Sequence, residues 1–124
     1  MAIGVNRQTL SAGTLVGDDV NNRSGEKVGS VKEIMLDLSS GRVSYVVISS
    51  GGFLGIGDKL FAVPWEAVEI DGDEHALVFD ISKERLEQAP GFDQDNWPDF
   101  ADRTWGASVH KFYGTRPYWE TDLP

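Results

Sequence analysis

A mainly β fold, a small barrel or sandwich carrying a partly helical C-terminal extension, is what this sequence predicts. Three observations carry that prediction. Up to residue 82, β-branched and aromatic residues recur in short segments separated by turn signals. Those signals, Asn21-Asn22-Arg23-Ser24-Gly25, Ser39-Ser40-Gly41 and Asp71-Gly72-Asp73, leave no room for the long crossovers of a parallel sheet. Composition then changes near Ala89-Pro90-Gly91, and eight of the thirteen aromatic residues lie beyond that point.

Taken in order, the expected strands run over about 14–20, 27–38, 42–50, 59–65, 66–71 and 75–81. In the second, Ile34, Leu36 and Leu38 alternate, but Val28 and Val31 differ in parity, which a bulge between Ser30 and Glu33 reconciles. The third puts Val43, Tyr45 and Val47 on one face and Val46 and Ile48 on the other, so both faces are expected to be covered. Phe61, Val63 and Trp65 alternate in the fourth, where Pro64, lacking an amide hydrogen, belongs at an edge or a strand end. The last hairpin pairs Val68 and Ile70 with Leu77, Phe79 and Ile81. Ser82 is placed to cap a short helix over 83–88, stopped by Pro90. From Pro98 to Tyr113, Phe100, Ala101, Trp105, Val109 and Phe112 fall near helical spacing, with Gly114 as a stop and Gly106 a weak point of about 1 kcal/mol relative to alanine. The expected division is a β domain over 1–82 and the extension over 83–124.

Bulk chemistry narrows the function. At 124 residues the chain is the size of one domain. A net charge of −9 repels phosphate backbones and anionic headgroups, so nucleic acid and bare membrane are poor partners. Without cysteine there are no disulfides, thiolate nucleophiles or cysteine-held metals. Residues 1–11 lack the basic start and apolar stretch of a signal peptide, and no apolar run is long enough to span a bilayer; the expected location is the cytoplasm.

Candidate chemical motifs resolve into structural ones. The segment Gly51-Gly52-Phe53-Leu54-Gly55-Ile56-Gly57-Asp58-Lys59 has the glycine content of a phosphate cradle, but Asp58 precedes the lysine and a strand follows. It reads as a hairpin loop whose Phe53, Leu54 and Ile56 either fold back or meet a partner. The acids Asp71, Asp73 and Glu74, and Asp93, Asp95, Asp99 and Asp102, lack the calcium-loop pattern and fit solvated turns and a helix start. His75 and His110 lie in different elements with no paired nucleophile, so no catalytic set, metal or cofactor is expected.

The ordered combination of Gly25-Glu26-Lys27-Val28-Gly29-Ser30-Val31, Asp37 to Gly41, Tyr45-Val46-Val47, the glycine-rich loop and Val63-Pro64-Trp65 resembles the PRC-barrel family across residues 10–82. That family includes the cytoplasmic domain of the photosynthetic reaction-centre H subunit and the C-terminal domain of a ribosome maturation factor, and the chain is most similar to its small stand-alone bacterial members. The resemblance implies a compact β-barrel used for protein assembly, with no catalytic residues to carry across.

The expected function is therefore a non-enzymatic interaction module, forming a homodimer or docking a protein partner. Its candidate contact residues are Phe53, Leu54 and Ile56 in the loop, Pro64 and Trp65 at the strand end, and Trp97, Trp105, Tyr118 and Trp119 in the extension. That extension packs either on its own barrel or across a second copy. Two alternatives stand beside this reading: an RNA- or ribosome-associated accessory protein, and a small-molecule-binding protein using the barrel cavity.

Overall fold

A computed structural model of the chain describes residues 10–50, 59–71 and 76–120. In chain order the elements are helix α1 (Ala12–Leu15), strands β1 (Asp19–Asn21), β2 (Lys27–Asp37), β3 (Arg42–Ser50), β4 (Lys59–Pro64), β5 (Val68–Asp71) and β6 (Ala76–Phe79), helix α2 (Lys83–Glu87), strand β7 (Phe92–Asp93) and helix α3 (Arg103–Tyr113). Two 3-10 turns, Trp65–Ala67 and Tyr118–Glu120, complete them. The strands form one sheet in the order β5-β6-β1-β2-β3-β4-β7, mainly antiparallel, with β1 and β6 parallel. The fold is thus mainly β with a helical C-terminal part, and among the described residues the sheet does not close into a hydrogen-bonded ring.

The central strands follow the sequence pattern. The expected bulge appears as a register shift between Val31 and Glu33. Residues Ser44–Ile48 of β3 are all buried because this strand has a core on each face. Val46 and Ile48 join Val20, Val28, Val31, Phe61, Val63, Leu77 and Phe79 in one core. Tyr45 enters a second core with Ala62 and Val109, roofed by Phe92, Phe100, Trp105 and Tyr118. The C-terminal extension therefore packs on its own sheet and supplies the cover for the outer face of β3 and β4.

Several boundaries differ from expectation, each for a local reason. Residues 14–20 are not one strand: Ala12–Leu15 make a helical turn, and Gly17 (φ 94°) donates to the Val31 carbonyl and swings the chain into β1. A second register shift, between Met35 and Leu36, breaks the alternation of β2. It sends Met35 to the second core and leaves Leu36 and Leu38 59% and 89% exposed. Trp65 does not continue β4, since the chain leaves the strand at Pro64 and coils into the 3-10 turn, so that β5 begins only at Val68. Pro64 does sit at a strand end, opposite Tyr45.

The extension also starts its helix late. Asp102, not Pro98, opens α3, its carboxylate accepting from the amides of Thr104 (2.9 Å) and Trp105 (3.4 Å), so Phe100 and Ala101 lie in the preceding turn. Gly114 ends α3 in the left-handed conformation, φ 74°, as its position predicts. Ser82 caps α2 by accepting from the Arg85 amide. No helix among the described residues is long and apolar enough to cross a membrane.

Candidate functional site

Where the end of β4 meets the returning C-terminal segment, a cleft of about 320 Å³ opens at the surface. One wall is Pro64, Trp65 and Glu66; the floor is Arg42, Val43 and Ser44 at the start of β3; the other wall is His110, Arg116 and Tyr118. Each wall is fixed by a backbone event already described. The proline ends the strand and turns Trp65 sideways, while Gly114 reverses the chain after α3 and brings Arg116 and Tyr118 back across the sheet.

His110 holds that reversal. It is 1% exposed, with Nδ1 2.8 Å from the Gly106 carbonyl and Nε2 3.2 Å from the Tyr118 amide nitrogen. A carbonyl only accepts and an amide only donates, so the ring is the neutral tautomer protonated at Nδ1. Burial holds its pKa below the ordinary histidine value, against opposing pulls from the Gly106 carbonyl, Glu66 and Glu120. With both nitrogens engaged, the imidazole works as a strut. Arg42 adds a second tie by donating to the Tyr118 carbonyl at 3.0 Å.

Beneath lies an aromatic cluster centred on Tyr45, whose ring meets Phe100 (5.7 Å), Trp105 (5.5 Å), His110 (5.4 Å) and Tyr118 (5.7 Å). Burial pushes the Tyr45 phenol far above its usual range, so it stays neutral. Gly106 belongs to this packing: a Cβ there would lie 2.9 Å from the Tyr45 hydroxyl and 2.9 Å from the Trp119 ring. The residue that weakens α3 by propensity is the one that lets Trp119 and Tyr45 close against it.

The contact residues expected from sequence fall into four groups. Pro64, Trp65 and Tyr118 converge on the cleft. Trp105 and Trp119 are half-buried within the chain's own packing, Trp105 on Tyr45 and Phe100, and Trp119 on His110 with the Arg103 guanidinium 5.2 Å over its ring. Trp97 is 37% exposed at the edge of a stack with Phe92 and Phe100, away from the cleft. Phe53, Leu54 and Ile56 lie outside the described residues, as do Asp73, Glu74 and His75. Of the acids, Asp99 and Asp102 act as turn and helix caps, and among the described residues no group of carboxylates and histidines gathers with metal-site geometry.

Sequence reasoning missed the cleft's arginines, Arg42 and Arg116. A signal was present: residues 103–119 contain Arg103, Lys111 and Arg116 but no acid, although the whole chain carries twenty. Local charge was hidden by the net balance.

One seven-stranded, mainly antiparallel sheet with a helical cover and a surface cleft defines a small, mainly β domain. Residues 8–86 match the PRC-barrel domain. The chain belongs to the PRC-barrel domain family. No curated protein matches it.

Proposed function

We propose that this chain is a non-enzymatic protein-interaction module acting in the cytoplasm, and that the cleft beside Trp65 is its docking surface. The observation that carries this reading is convergence. Pro64, Trp65 and Tyr118, from two distant stretches of sequence, meet in one recess with Arg42 and Arg116. Aromatic and arginine side chains at a concave surface are the composition of interface hot spots. Membership of a family associated with assembly supports the same reading, and His110, which lines the cleft, has no free nitrogen to lend to proton transfer.

A photo-reactive amino acid placed at exposed Glu66 tests the proposal in cells. The expected result is a discrete protein adduct, either the chain itself or another protein, that Trp65→Ala weakens by roughly 30-fold, the scale of a hot-spot truncation. The variant's thermal melt guards against an unfolded product. Labelling no stronger than from a photo-reactive group at Asp80, outside the cleft, would remove the docking reading, as would reproducible turnover of a metabolite by the pure protein.

A further inference from the structure

The C-terminal extension carries two unlike surfaces. Its first part, Phe92 to Asp102, holds Asp93, Asp95, Asp99 and Asp102 and no cation, with Trp97 exposed beside them. Its second part, Arg103 to Trp119, holds only cations and ends at the cleft. Asp99 and Asp102 are spent as caps, whereas Asp93 and Asp95 have no ion-pair partner and Arg116 has neither an ion pair nor a hydrogen bond among the described residues.

The two surfaces flank the same layer at opposite ends of one strand. β7 pairs with Lys59 and Leu60, while the cleft takes Pro64. From Lys59 to Pro64 the strand rises about 16 Å, so the acidic segment is anchored away from its own cleft. α3 spans the gap, beginning at Asp102 and reaching the cleft with His110. Its outward stripe, Thr104, Ala107, Ser108 and Lys111, is exposed and mostly small, which permits close approach of another helix.

We infer that the occupant of the cleft is a second copy of this chain, in an antiparallel twofold dimer. This rests on the docking reading above. When complementary features stand at the two ends of one face, a twofold axis through the middle of that face joins both pairs at once and closes the assembly. Asp93, Asp95 and Trp97 of each copy meet the cleft and Arg116 of the other, with the α3 stripes facing across the axis.

Charge exchange tests the geometry. Sedimentation or light scattering from about 1 µM to about 500 µM is expected to show a dimer that weakens with added salt. Arg116→Asp and Asp95→Arg are each expected to weaken it by at least about tenfold, because each places like charges at both contacts. An equimolar mixture of the two variants restores association as a heterodimer, since both contacts are again of opposite sign. Arg23→Asp, remote from the face, leaves it unchanged. A monomeric wild type across that range overturns the inference, and so does a dimer indifferent to both variants or unrescued by mixing. If Glu66 labelling nonetheless captures another protein through Trp65, the docking reading survives and only the choice of occupant fails.

Discussion

His110 shows how one side chain can set the shape of a site without reacting in it. Its neutral tautomer donates to the Gly106 carbonyl and accepts from the Tyr118 amide. A proton on Nε2 would turn two donors against each other and release the Tyr118 wall. The folded pKa lies below the ordinary 6.5 of the unfolded chain, so on acidification the unfolded state takes up the proton first. The stabilisation is complete above the unfolded value and is lost as pH falls from it toward the folded one. Melts recorded from about pH 7.5 down to about pH 5.5 are therefore expected to show falling stability. His110→Phe should lower stability at the upper pH by about 1–3 kcal/mol, the cost of an orphaned buried amide, and should lose that part of the acid slope. An unchanged slope in the variant would show that other groups cause it.

At the level of elements, strands were more legible than helices. β3 and β4 were readable because each is a short run rich in β-branched and aromatic residues, apolar on both faces and bounded by turn or breaker residues. The bulge near Val31 was readable from a parity conflict, but the one at Met35 was not, since Ile34, Leu36 and Leu38 alternate faultlessly on paper. Only the register with β3 turns Leu36 outward. β7 has two residues and no period, and it exists because Lys59 and Leu60 offer an unpaired edge. In the extension, aromatic spacing suggested a helix from Pro98, whereas the decisive signal was the carboxylate of Asp102 capturing two amides. Asp102→Ala is accordingly expected to cost about 1 kcal/mol, read as a lower melting temperature with unchanged far-ultraviolet dichroism away from the transition. No loss at all would mean that tertiary packing alone starts α3. The cleft was half legible: its aromatic members stood out as types, but their meeting depends on Gly114 reversing the chain, and its arginines were masked by an acidic total.

Over the whole molecule, the extension is part of the structure that folds. Tyr45 and Ala62 are buried on the sheet face that α3 covers. A chain ending at Ala89 keeps Leu86 and Ala89 in the first core but uncovers the second. Aromatic contacts of this kind contribute about 0.5–1.5 kcal/mol each beyond the area they bury, so the truncated protein is expected to melt early or to aggregate through the exposed face. A cooperative, soluble and equally stable product would instead show that residues 1–89 fold as a self-sufficient unit.

The parallel pairing of β1 with β6 sets the order in which this molecule can be made. Asn22, at the turn after β1, donates to the carbonyl of Ile81, 59 positions away. A nascent chain emerging from the ribosome can zip β1 to β2, β2 to β3 and β3 to β4 from nearby sequence, yet the other edge of its first strand must wait until Ala76 to Val78 have been made. Closing so large a loop is the entropically slow step, and until it happens Val20 and Leu77 are unshielded. Lesions near Asn22 would thus lengthen the vulnerable interval of biogenesis before they altered any finished surface.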